Sequence, residues 1–364
     1  MSRDSRHRVA IVGGTGMWGQ RYLREACRRD DVEAILVDTS DRLDEFAQHY
    51  GVTESYDSLD RLLEGEAPDL VCNIVPVGVA VDLVTRCAEA GVRVISCEKP
   101  IAVDLETADQ MVAICRKHGA AFGCGTAYYE IPYFVQAIEW IAAGNIGEIT
   151  AAAIPGGLPR EVSGGGCVQL THLRAATGCE AEWVEGWTLP PADGYRAPEA
   201  DEVTLDCPAY GRIGLSGGLV CDVPEPLSDK GVSCRVSITG ENGQVFLQGP
   251  RPVFIVGTGA RATPVYPEFL NEEPVAFMTG RVQSLIDSLE SGSPEAVCSG
   301  HDYRQALELA VGFKLSAAAG NRRIDLPLAE RAHRIYPHPY RQLGGDAVGY
   351  DAIGYDGPPR ARDD

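Results

Sequence analysis

Glu98-Lys99-Pro100 closes the apolar run Val92–Cys97 with two titratable side chains and a fixed bend. Proline locks its own φ and holds the residue before it to extended angles, so the Lys99 ammonium is aimed rather than free to wander. A lysine partly withdrawn from water beside a positive charge releases its proton more readily and can then accept one. Proton transfer of that kind is half of an alcohol oxidation; the other half is a hydride acceptor.

A second motif supplies a place for one. Gly13-Gly14-Thr15-Gly16-Met17-Trp18-Gly19 follows the apolar run Arg8–Val12 and precedes a helical stretch. Gly14, Gly16 and Gly19 fit G-x-G-x-x-G, and Gly13, Gly16 and Gly19 fit a variant one residue longer; the spacing leaves the register open. In either register glycines permit a tight turn, close approach of the backbone to a pyrophosphate, and close packing of helix on sheet. The helix N-terminus presents unpaired N–H groups to the anion. Asp38 closes the second apolar run roughly 20 residues past Gly19, where a carboxylate accepts the ribose hydroxyls of NAD and repels the 2′-phosphate of NADP. Thr39, Ser40 and Arg42 are types that can hold such a phosphate, so NADP stays open beside NAD. These residues predict a dinucleotide held by Gly13, Gly14, Thr15, Gly16, Met17, Trp18 and Asp38, with Glu98 and Lys99 at the carboxyl edge of the same sheet, where ligands of open α/β sheets bind.

Positioning these groups requires a parallel sheet, and residues 8–123 read as one. Strands are expected at Arg8–Val12, Glu33–Asp38, Leu70–Val75, Val92–Cys97 and Ala121–Gly125. Helices are expected near Trp18–Arg29, Asp41–Tyr50, Ser58–Glu64, Val79–Ala90 and Leu105–His118. Continuous apolar strands separated by helices imply a sheet buried on both faces with right-handed crossovers. The pattern changes near residue 125. After a helix at Tyr133–Ala143 come short strands divided by Gly and Pro, at Thr150–Ile154, Ala181–Leu189, Glu202–Cys207, Arg212–Cys221, Ser233–Thr239 and Gln244–Gln248, which predict a mostly antiparallel sheet. Glu273–Leu289 and Tyr303–Ala319 are the last long helices. The expected fold class is α/β, with domains at 1–124 and 125–340. A Gly-, Tyr- and Asp-rich tail follows at 341–364, carrying the near-copies Val-Gly-Tyr-Asp and Ile-Gly-Tyr-Asp. Trp183 and Trp187 share one strand face, which predicts a sheet–sheet contact.

Composition bounds the partners. The 364 residues sum to a charge of −20, which repels phosphate backbones and anionic membrane surfaces, so neither nucleic acid nor membrane is an expected partner. The N-terminal apolar run is too short for a signal peptide or a span. The 12 cysteines are scattered, without C-x-x-C or Cys/His metal spacing, and read as small buried hydrophobes in a reducing cytoplasm, with no metal site.

The chain resembles the Gfo/Idh/MocA oxidoreductase family over roughly residues 8–330. The resemblance rests on the glycine turn, Asn73-Ile74-Val75-Pro76, Cys97-Glu98-Lys99-Pro100, Gly144-Asn-Ile-Gly-Glu-Ile149, and the helix from Asp302 that leads into Ile324-Asp-Leu-Pro-Leu328. It implies a Rossmann domain followed by an α/β domain with a large, mostly antiparallel open sheet, and dimers or tetramers through that sheet. It also implies NAD(P)-dependent oxidation or reduction of a small sugar- or cyclitol-like alcohol or ketone. Lys99 matches the family lysine that contacts the reacting hydroxyl, and His172 matches the family histidine. Val75 and Pro76 fall where the nicotinamide pocket is shaped; Tyr128, Tyr129 and Glu130 fall in a substrate-facing region.

Two departures stand out. The family pattern places an Asp four residues before the histidine; here Val168 stands there. A neutral imidazole can still relay a proton, but something else must fix its tautomer, and Gln169 is the neighbouring candidate and a further substrate contact. The turn at Val75-Pro76 also lacks the family's polar residues. These departures leave two alternatives: reduction of a non-sugar carbonyl or imine in secondary metabolism, or a catalytically silent dinucleotide-binding regulator.

Overall fold

The computed structural model describes residues 6–125, 127–191, 204–227 and 234–344. The alternation at the start of the chain becomes β1 (His7–Val12), α1 (Gly19–Cys27), β2 (Val32–Val37), α2 (Leu43–Tyr50), β3 (Glu54–Tyr56), α3 (Leu59–Leu63), β4 (Leu70–Asn73), α4 (Val77–Glu89), β5 (Val94–Cys97), α5 (Leu105–His118) and β6 (Ala121–Cys124). The strands form one six-stranded parallel sheet in the order β3-β2-β1-β4-β5-β6. Every residue of β4, β5 and β6 is buried, which explains why they read as unbroken apolar runs. Local chemistry sets the helix ends. Asp104 Oδ1 accepts from Thr107 N at 2.8 Å to start α5, and Gly119, at φ +71°, ends it. The strand order reverses between β1 and β4, so the crevice for a ligand opens where the glycine turn, Pro76 and Lys99 follow β1, β4 and β5.

The next elements are α6 (Phe134–Ala142), β7 (Ile149–Ala153), α7 (Cys167–Thr177), β8 (Ala181–Thr188), β9 (Ala209–Leu215), β10 (Val220–Val223), β11 (Cys234–Gly240), β12 (Gly243–Gln248), β13 (Val253–Val256) and β14 (Thr263–Val265). With a late strand they make a nine-stranded sheet that is antiparallel except where β7 pairs β10. Two expectations need correction here. Leu205–Cys207 form no strand: Leu205 makes a single bridge to Tyr336, and Asp206 turns inward as an acceptor. The strand expected at 212–221 is two strands, because Ser216–Gly218 make a turn with Gly217 at φ +77°. The glycine-rich stretch before His172 is one turn of π-helix, Val162–Gly166, running into α7. Trp183 and Trp187 do share a face of β8. Trp187 is 45% exposed there and stacks on Tyr210, ring centroids 5.4 Å apart.

The last elements are α8 (Phe277–Ser291), α9 (Gly300–Ala318), β15 (Ile324–Asp325) and α10 (Pro339–Leu343). The described residues group into two compact units. One comprises Met1–Thr126, Met278–His301 and Pro339–Asp364; the other comprises Ala127–Phe277 and Asp302–His338. Two contiguous blocks at 1–124 and 125–340 were expected, and the difference has a packing cause. Val282, Leu285, Ile286 and Leu289 of α8 share one buried cluster with Val9, Ile11, Leu23, Leu70, Cys72 and Val94, so the first unit's core is incomplete without a helix from much later in the chain. The Tyr-Asp near-copies of the tail lie outside the described residues. All twelve cysteines are free, and all but Cys27 and Cys179 are buried. Among the described residues, no helix is long and apolar enough to cross a membrane.

Candidate dinucleotide site and catalytic residues

The glycine turn is built from both registers at once. Gly13 takes φ +80°, and its carbonyl accepts from Gly16 N at 3.2 Å. A methyl group at Gly19 would lie 2.0 Å from that carbonyl oxygen, so Gly19 lets α1 close onto the turn. One at Gly14 would lie 2.4 Å from Leu36 Cδ1 of β2. Gly16 is different: a methyl there would meet nothing closer than 3.4 Å. Its Cα therefore borders open space beside the first turn of α1, the end of a helix to which an anion is drawn. A pyrophosphate fits that combination of open backbone and helix N-terminus.

Asp38 stands at the rim of the turn. Its Oδ2 accepts from Thr15 N and Thr15 Oγ1, both at 2.9 Å, and its Oδ1 accepts from Ser40 N at 3.0 Å. The carboxylate thus orders the loop, and with about four acceptor positions it keeps capacity for ribose hydroxyls. Arg42, a candidate for holding a 2′-phosphate, is instead paired with Glu45 at 2.8 and 2.9 Å.

Lys99 is half-buried just beyond β5, joined to Pro100 by a cis peptide. Its carbonyl accepts from Arg341 Nη1 of α10 at 3.4 Å. Pro76 sits at the N-terminus of α4, and the α10 end reaches it: a methyl on Gly344 would lie 3.3 Å from Pro76 Cγ. The Glu98 side chain points into the protein. Its Oε1 accepts from Tyr22 Oη at 2.7 Å and from Arg281 Nη1 at 2.9 Å. Burial alone would raise the Glu98 carboxyl, but the Arg281 guanidinium, then Lys99 and the Tyr22 hydrogen bond, hold it below the usual carboxylate range. Burial pushes the Tyr22 hydroxyl well up, so it remains a donor.

In the second unit His172 is fully buried on α7. Its Nε2 bonds to the Ala127 carbonyl at 3.0 Å. A carbonyl only accepts, so Nε2 carries the proton and Nδ1 is the basic nitrogen of the neutral ring. Gln169 does not set that tautomer; its Nε2 donates to the Gly157 carbonyl at 3.4 Å instead. The imidazole packs on Phe134, centroids 4.4 Å apart, and Phe134 in turn meets Tyr128 at 5.1 Å. Tyr128, Tyr129 and Glu130 are half-buried on one short 3₁₀ turn. Val168 is buried, so no carboxylate stands four residues before the histidine. Asp206 anchors the entry to α7 by accepting from Val162 N at 2.9 Å, Ser163 N at 2.7 Å and Ser163 Oγ at 2.6 Å. Arg174 on the same helix is paired with Asp302 and Glu180.

Sequence reasoning missed Tyr22, Asp206, Arg281 and Arg341. Arg281 did leave a signal: it lies four residues before Leu285 and eight before Leu289, in line with an apolar helical stripe where a charge needs a buried partner.

Residues 7–126 match the family described as "Oxidoreductase family, NAD-binding Rossmann fold". Myo-inositol 2-dehydrogenase of Thermotoga maritima is 26% identical over 332 residues, covering 85% of this chain and 96% of that protein. Among solved structures, levoglucosan dehydrogenase in complex with NADH and levoglucosan aligns with a TM-score of 0.70 at 17% identity, over 89% of this chain and 100% of that one. The WlbA dehydrogenase of Bordetella pertussis, in complex with NADH and UDP-GlcNAcA, aligns with a TM-score of 0.69 at 18% identity, over 90% and 100%. At these identities the structural likenesses establish the fold. Through residues 7–126 the chain is similar to the Gfo/Idh/MocA oxidoreductases and their NAD-binding Rossmann domain, the same family that its sequence resembles.

Proposed function

We propose that the chain oxidises or reduces a sugar- or cyclitol-like alcohol or ketone with NAD, which supplies the hydride acceptor or donor. The observation that carries this reading is Lys99, half-buried at the carboxyl end of β5 in the same unit as the glycine turn. Its Nζ accepts the hydroxyl proton during oxidation and returns it during reduction. His172 assists through Nδ1, with the Ala127 carbonyl holding the other nitrogen protonated. Tyr128 and Glu130 offer a ring face and a carboxylate suited to a polyol. Asp38 favours NAD over NADP, since a carboxylate repels a 2′-phosphate and Arg42 is paired elsewhere. Arg174 is committed to Asp302 and Glu180, which favours an uncharged substrate.

A second reading, reduction of a non-sugar carbonyl or imine, is favoured by Val168 in place of a carboxylate before His172. A screen of sugars, cyclitols, ketones and imines for NAD(H) turnover separates the two. In the leading reading a polyol turns over and Lys99→Ala abolishes turnover while calorimetric NAD affinity holds. Parent-like turnover in Lys99→Ala overturns the role of Lys99. Turnover of imines or simple ketones alone selects the second reading. NAD binding without turnover of any class would indicate the silent regulator.

A further inference from the structure

We infer that Arg281 is a positioning residue for Lys99, acting through the buried Glu98 carboxylate that its guanidinium clamps. The inference rests on the reading of Lys99 as the proton-transfer group. Arg281 is wholly buried, and Glu98 nearly so. Nη1 donates to Glu98 Oε1 and to Tyr22 Oη, each at 2.9 Å, and Nη2 donates to the Gly125 carbonyl at 3.3 Å. One side chain from α8 thus ties together α1, the end of β5 and the end of β6. The guanidinium carbon also lies 5.5 Å from the Trp18 ring, beside the glycine turn. Gly125 closes the carboxylate from the other side: a methyl there would lie 3.1 Å from Glu98 Oε2. With its carboxylate fixed on these sides, Glu98 holds the backbone from which Lys99 departs.

The same pair sets the charge that Lys99 meets. Arg281 and Glu98 cancel, so the Lys99 ammonium has a neutralised carboxylate beside it. The groups facing this pair include the Tyr22 hydroxyl of α1 and the Cys72 thiol of β4, both protonated because burial raises them. Arg341 donates to the Lys99 carbonyl at 3.4 Å. Removing Arg281 leaves a buried carboxylate that retains the lysine proton. Removing the Glu98 charge leaves a buried guanidinium that expels it. A packing role alone would not move the lysine in opposite directions.

Arg281→Met, Glu98→Gln and the double variant test this, with Arg281→Lys and Lys99→Ala as references. Trace acetylation of the cofactor-free protein by acetic anhydride, read on the Lys99 peptide by mass spectrometry across the lysine titration range, reports the pH midpoint of Lys99 without any turnover. The midpoint should rise in Arg281→Met, fall in Glu98→Gln and return toward the parent in the double variant. The rate kcat should fall about 100-fold in Arg281→Met, the order expected for a misplaced catalytic group, and less in Arg281→Lys and in the neutral double variant. If Arg281→Met does not fold, the fall in Glu98→Gln and the return in the double variant carry the test. Midpoints that stay put, or move the same way, overturn the clamp. Turnover in Lys99→Ala overturns the function assigned to Lys99 instead, while the acetylation series still reports on Arg281.

Discussion

Two alanines three residues apart in the glycine turn should have separable effects. At Gly19 the added methyl lies 2.0 Å from the Gly13 carbonyl oxygen and 2.8 Å from the Gly13 carbonyl carbon and the Gly14 Cα, all backbone atoms that cannot swing aside. Overpacking of that kind costs about 1–3 kcal/mol, and Tm falls by about 2–4 °C for each kcal/mol in a domain this size. At Gly16 the nearest atom is 3.4 Å away, an ordinary contact, so Gly16→Ala should unfold within a degree or so of the parent. The methyl instead occupies the face left open to a pyrophosphate. Losing one or two charge-assisted hydrogen bonds there, at about 1.5–3 kcal/mol each, weakens NAD binding by about 10- to 150-fold for the first. Differential scanning calorimetry and isothermal titration with NAD read the two quantities independently. Gly16→Ala binding NAD as tightly as the parent, or Gly19→Ala melting with the parent, would refute the division of labour within the turn.

Two other outcomes follow from the same geometry. Asp38→Asn should lower the ratio of NADP to NAD dissociation constants at least about tenfold, because the repelling charge is gone while the amide oxygen still accepts from Thr15; an unchanged ratio in paired titrations rejects Asp38 as the selector. Asp206 is wholly buried, and burial pushes its carboxyl up to about 6, opposed by the Ser163 hydrogen bonds. Its folded value lies above the unfolded carboxylate near 3.9, so the stability it adds is complete below that pH and is lost as pH rises through about 6. The change amounts to about 3 kcal/mol. Against Asp206→Asn, the parent's Tm should therefore decline from pH 4 to pH 7, and a gap that is constant or grows with pH contradicts this assignment.

Legibility in the sequence followed the physics of each element. The parallel sheet was readable because its strands are buried on both faces and its turns are marked by glycine. The strand-end positions of Lys99 and of the glycine turn were readable because glycine and proline mark where an apolar run stops and the chain turns. Helix α7 was not, since Cys167–Leu173 are buried without a break and leave no amphipathic period to detect. Of the strand expected over Glu202–Cys207, the described Leu205–Cys207 form none, because Asp206 is consumed in capping the turn at Val162 and Ser163. The two-unit division was hidden for a topological reason: the residues that complete the first core lie more than 150 positions beyond it, and no local pattern announces where α8 docks.

The return of α8 to the first unit bears on modularity. A dinucleotide-binding domain of this design is not a portable cassette. Residues 7–126 on their own would leave Ile11, Leu23 and Val94 without Val282, Leu285 and Ile286, and Glu98 without its countercharge. Any recombination that exchanges such a domain between chains must carry the late helix with it or replace it. Inheritance of the cofactor site is thereby tied to the part of the chain that lies beyond the second sheet.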